Sequence, residues 1–120
     1  MPILRHADSP GQEPWKGVCS KGIVRKEVGA EHLTVNEITL APGAFIPLHI
    51  HPTHEEAIVI LEGQIEATLG DAVQRISGGH TVLAPTGVKH LLRNVGDAPA
   101  RILAIFPTTD PQRQLLHGDP

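Results

Sequence analysis

The chain has no tyrosine, two phenylalanines and one tryptophan, so the walls of any pocket must be mostly aliphatic and no phenol is available to work in it. It has one cysteine, Cys19, which excludes an internal disulfide, says little about compartment and reads as a buried or half-buried thiol. It has no excess of positive charge: a net charge of -3 leaves no basic footprint and argues against a nucleic-acid partner. It also lacks an apolar run of membrane length, and the opening MPILRHADSPG lacks the apolar stretch of a signal peptide. The expectation is a soluble, cytoplasmic protein with no membrane partner. What the chain does have is 12 glycines and 11 prolines in 120 residues, a composition that favours short strands and many turns within one domain.

Residues 1–17 are rich in proline, glycine and charge and read as an extended N-terminal arm, with Trp15 as an anchor onto the body or as a pocket wall. Residues 18–107 form the body. Strands are expected over Gly22–Val28, Leu33–Leu40, Phe45–His51, Ala57–Glu62, Gln64–Leu69, Val73–Ile76, Thr81–Ala84, Val88–Val95 and Arg101–Phe106. The turns between them include Gly29-Ala30, Ala41-Pro42-Gly43, Gly70-Asp71, Pro85-Thr86-Gly87 and Gly96–Pro99. In LTVNEITL both phases carry apolar and polar residues, so either Asn36 or Glu37 can face inward. The tail, residues 108–120, is polar, with Gln114–Leu116 as one helical turn. Eight or nine short strands without intervening helices imply an all-β sandwich or barrel.

Within the stretch GAFIPLHIHPTHEEAIVILEG, residues 43–63, His49 and His51 are two apart on an extended strand. They therefore project from one face and can share an ion. A hairpin-like return after Pro52-Thr53 would lay Glu56 beside them. Parity places Glu56, Ile58 and Ile60 on one face and leaves Glu55 solvated. A second stretch, GHTVLAPTGVKHLLRN over residues 79–94, adds His90 after a tight turn.

These two stretches resemble the two motifs of the cupin superfamily. Gly43, His49, His51, Glu56 and Gly63 stand at the spacings of the first motif, and Gly79, Pro85, Gly87, His90 and Asn94 at those of the second. The resemblance covers roughly residues 20–106. It implies a double-stranded β-helix, or jelly roll, with His49, His51, Glu56 and His90 as ligands of one divalent transition-metal ion. Three imidazoles and a carboxylate suit Fe, Mn, Ni, Co, Cu or Zn rather than Ca or Mg. In small cupins of this kind the N-terminal arm often crosses to a second subunit, so a homodimer is expected.

His54 can compete as a ligand, stand behind one, or sit on the rim, and the rim is the ordinary place for a loop histidine. His6, His32, His80 and His117 lie outside the pattern and are expected at the surface. On strand parity, Phe45, Pro47, Ile58, Ile60 and Leu92 line a cavity beside the ion. A strongly charged substrate would need Arg93, Arg101 or Lys89 to turn inward, which nothing in the pattern supports. The functional expectation is a small-molecule enzyme of the metal-dependent dioxygenase type. A metal-assisted isomerase or lyase and a non-catalytic small-molecule binder are the alternatives.

Overall fold

The structure, a computed structural model, describes residues 2–116. Its strands are β1 (Gly11–Trp15), β2 (Val18–Val24), β3 (Thr34–Leu40), β4 (Phe45–Ile50), β5 (Glu56–Glu62), β6 (Gln64–Leu69), β7 (Ala72–Ser77), β8 (His80–Ala84), β9 (His90–Asn94), β10 (Ala100–Phe106) and β11 (Gln114–Leu115). They form two antiparallel sheets, β1-β2-β3-β10-β5-β8 and β11-β4-β9-β6-β7. This is the expected all-β jelly roll.

Alternation along β10 shows how the sheets are held together. Ala100, Ile102, Ala104 and Phe106 point inward while β3 and β5 occupy both flanks. Val18, Leu40, Ile58, Ile60, Ile65, Leu92 and Ile102 are almost wholly buried between the sheets. Each such side chain contributes on the order of 2 kcal/mol of transfer free energy. Among the described residues no helix is long and apolar enough to cross a membrane.

Several expectations need correction. The second strand runs Val18–Val24 and stops there, with a 3-10 turn at Lys26–Val28. Val18 and Ser20 face the interior on it, so Cys19 between them faces solvent rather than the core. Within the arm, residues 11–15 pair with β2 of the same chain as an edge strand. Gln114–Leu116 is no helical turn: Gln114 and Leu115 extend the second sheet by pairing with Ile50 and His49. Asn36 is the inward residue, while Glu37 faces Arg101 on the outside. His117 lies outside the described residues.

The largest correction concerns the connection from β4 to β5. No hairpin forms, because the two strands belong to different sheets. Glu56 therefore meets the histidines across the interior and not along a ladder.

Candidate metal centre

Three elements bring the donors together. His49 stands one residue before the end of β4, His51 follows it by two, and His90 opens β9, directly opposite His49 in the same sheet. Glu56 opens β5 in the facing sheet. One ligand atom from each of the four lies within 4.8 Å of the others, and all four side chains are buried.

The proton positions follow from the backbone. Each Nδ1 faces a carbonyl oxygen: His49 that of Pro47 at 2.6 Å, His51 that of Gln112 at 2.6 Å, and His90 that of Val88 at 3.0 Å. A carbonyl can only accept, so each Nδ1 carries the proton and a neutral ring keeps its lone pair on Nε2. Yet Nε2 of His51 and Nε2 of His90 both lie 2.9 Å from Oε1 of Glu56. Two lone pairs and a carboxylate oxygen crowd one point, and they repel unless protons or a cation lie among them. The donor set thus fits a divalent transition ion, which takes neutral imidazoles and an ionised carboxylate.

Electrostatics agrees. Burial, then neighbouring His90, pushes His49 down from 6.5 to about 4 against the opposing effect of the Pro47 carbonyl. His49 is therefore neutral near pH 7. Burial alone would push the Glu56 carboxyl up, but the two imidazoles facing Oε1 reverse this and hold it below its ordinary value.

His54 is buried and off the rim where it was expected. It packs nearly parallel to His51, ring centroids 5.0 Å apart, with its other contact on Phe106. Its Nδ1–H donates to the Glu55 carbonyl at 3.0 Å, and its Nε2 accepts the Gln112 N–H at 3.0 Å. The Gln112 peptide is thus held by His54 on one side and holds His51 on the other, which stops the His51 ring from turning. Glu55 is exposed, and so are His6, His32 and His80.

The cluster opens into a cavity of about 80 Å³, walled by Ile38, Ile46, Ile58, Leu92, Ile102 and Phe106. Ile58 and Leu92 were expected there; Phe45 and Ile60 are not on the wall. Ile60 belongs to the packed core. Phe45 is turned out under the Arg93 guanidinium, 4.4 Å from its ring centroid. The reason is a β-bulge: Ile46 opposes Leu92 and His49 opposes His90, three steps on β4 against two on β9. The extra residue reverses the parity, so Ile46 and His49 both face inward and Phe45 and Pro47 do not. Arg93, Lys89 and Arg101 stay outside the cavity, Lys89 near Asp71 and Arg101 paired with Glu62. The residue that sequence reasoning missed is Arg113, which lines the mouth with Trp15, Ser20 and Asn36.

The family model of the cupin domain matches residues 36–106. The chain belongs to the cupin family. Among curated relatives, Germin-like protein 1 of Brassica napus is 32% identical over 89 residues, covering 70% of this cupin and 43% of that protein. Polyketide synthase CurC of Streptomyces cyaneus is 30% identical over 92 residues, covering 77% of this chain and 60% of its own. The chain spans about half the length of the curated relatives it matches. Among solved structures, the polyketide cyclase RemF from Streptomyces resistomycificus superposes with a TM-score of 0.85 at 19% identity, over 98% of this chain and 87% of that one. That likeness shows the fold.

Proposed function

We propose that this cupin is an enzyme that holds one divalent transition-metal ion on His49, His51, Glu56 and His90 and uses dioxygen to oxidise a small chelating substrate. The observation that carries the reading is the make-up of the cavity. Apart from the four donors, its lining among the described residues includes no carboxylate, imidazole or thiol. Among the described residues the cavity thus offers no acid or base besides those donors. A bound ion of this kind supplies electron exchange and polarises a chelated oxygen.

The chain's own residues do the rest. The Pro47, Gln112 and Val88 carbonyls aim three imidazoles at one point, and Glu56 offsets part of the ion's charge. The aliphatic wall keeps water from the substrate. An ion held by these four donors would keep room for substrate to bind beside them. The cavity holds roughly five to eight water-sized positions at about 10–15 Å³ each, which suits a compact group and not a polycyclic one.

The test is oxygen uptake by iron-loaded protein with a panel of catechols, β-diketones and thiols. Uptake that requires iron and disappears in His51→Ala is expected. Turnover that continues without oxygen would instead favour a second reading, a metal-assisted isomerase or lyase. The match over 77% of this chain to a relative named as a polyketide synthase is what supports a reading in which no oxygen is consumed. Binding without turnover under either condition would make this a carrier. A homodimer is part of the proposal, supported by the exposed Val73 and Leu83 near the outer strands β7 and β8. Light scattering that gives a monomer at micromolar concentration would remove it.

A further inference from the structure

Arg113 sits where two edges meet. Trp15 ends β1, the outermost strand of the first sheet, and Arg113 lies one residue before β11, the outermost strand of the second. The guanidinium carbon stands 4.5 Å from the Trp15 ring centroid, so the pair closes the gap between the sheets on the cavity side. The Gln112 peptide fixes Arg113 from behind through its bonds with His51 and His54. Asn36 lines both the inner cavity and an outer crevice formed with Thr34, Pro111 and Gln112, and Arg113 lines both as well. A molecule entering from the crevice passes this guanidinium on its way to the donor cluster.

The charges inside are few. Glu56 brings one negative charge inside, the exposed Arg113 brings one positive charge at the mouth, and a divalent ion would add two more positive ones. The loaded cavity and its mouth together then carry a net two positive charges beside mostly aliphatic walls. A neutral chelator leaves that field unbalanced, whereas a ligand with two negative groups neutralises it. A guanidinium placed over an aromatic face keeps N–H donors free of that contact, and two of them can reach one carboxylate.

We propose that Arg113, backed by Trp15 and flanked by Asn36 and Ser20, is an anion-recognition subsite. It selects small substrates that chelate the ion at one end and carry a carboxylate or comparable oxyanion at the other. This rests on the reading of the cavity as the substrate site but not on oxygen chemistry, because it concerns binding alone.

The test uses cobalt(II)-loaded full-length protein under anaerobic conditions, with the visible band of the ion as readout. The probes are 4-methylcatechol and 3,4-dihydroxybenzoate, which share the chelating hydroxyls and differ by a methyl against a carboxylate. The carboxylate probe is expected to bind about tenfold more tightly or better, the usual worth of a charge-assisted bidentate contact. The advantage should shrink as salt is raised. Arg113→Gln should abolish the difference while leaving cobalt affinity and the 4-methylcatechol constant unchanged, and Arg113→Lys should restore part of it. Equal affinity of the two probes for the natural chain, or discrimination that survives in Arg113→Gln, overturns the subsite. If cobalt binds but neither probe moves its spectrum, the cavity is not the ligand site and both readings fall. If only oxygen uptake fails, the subsite stands.

Discussion

The two ends of the barrel solve different problems. At one end lie His51, Glu56 and His90 with the crossings at residues 51–55, 85–89 and 107–113. There polar side chains are buried and clamped by backbone, Gly87 N–H to the His51 carbonyl at 2.9 Å and His51 to Gln112 at 2.6 Å. At the other end the chain crosses at Gly43, Gly63 and Gly79, and Asn94 is the buried polar residue that ties it. Asn94 donates to the Leu40 and Ala98 carbonyls at 2.9 Å each and accepts the Gly96 N–H at 2.9 Å. The end with His51, Glu56 and His90 concentrates donors that could hold a cation; the far end satisfies itself. The difference teaches that the spacings of the two motifs serve two purposes, a donor cluster at one pole and closure at the other.

Separating those purposes should be possible by substitution. Glu56→Ala removes the only donor from the first sheet, so metal affinity should fall by more than about a hundredfold while the fold persists. Isothermal titration with zinc, alongside circular dichroism, checks both halves; tight zinc binding by the variant would break the division. Asn94→Ala should do the converse. It strands the Leu40 carbonyl in the interior and unpairs the part-buried Ala98 carbonyl and Gly96 N–H, which costs about 2 kcal/mol, yet leaves metal stoichiometry unchanged. Urea unfolding without loss of stability would show that the far end is not held by this side chain.

Acid should act on the metal end alone. His49 stays neutral when folded down to about pH 4 but takes up a proton near 6.5 when unfolded. The folded state thus binds fewer protons in that window, so stability from His49 is complete above 6.5 and is lost as pH falls toward 4. Glu56, held below its ordinary value, adds a loss in the same direction further down. Metal-free protein should lose up to about 3 kcal/mol between pH 6.5 and 4, and a melting temperature that stays flat across this range would contradict the burial of a neutral imidazole.

The smallest contrast lies within the far end. Gly63 has φ +108, and a Cβ there would stand 2.6 Å from the Ala100 Cβ and 2.8 Å from its Cα. Gly63→Ala should therefore cost about 2 to 4 kcal/mol from strain and overpacking combined. Gly43 has φ +80 with open space around it, so Gly43→Ala should cost about 1 kcal/mol, from backbone strain alone. Equal losses in thermal unfolding would mean that the close approach to β10 is not what requires glycine at 63.

Much of the metal end was legible in one dimension. His49 lies near the end of β4, His51 just past it, and Glu56 opens the next strand, so the match to the cupin motifs nominates the group that the structure gathers within 4.8 Å. Most strands were legible too, because alternation and glycine or proline turns are local. Phase was not: a single extra residue between Ile46 and His49 put Ile46 on the cavity wall in place of Phe45. The fate of His54 was not either, since its burial depends on a segment that begins more than fifty residues later.

By itself the sequence determined that the protein is a β-structure with three imidazoles and a carboxylate at cupin spacings, because strand periodicity and turn chemistry act between neighbours along the chain. Only the tertiary structure decided that Glu56 reaches the histidines from the opposite sheet, that the Gln112 carbonyl orients His51, and that Arg113 stands on Trp15 at the mouth. Those contacts join residues far apart in the chain, and the packing of two sheets, not any local preference, brings them together.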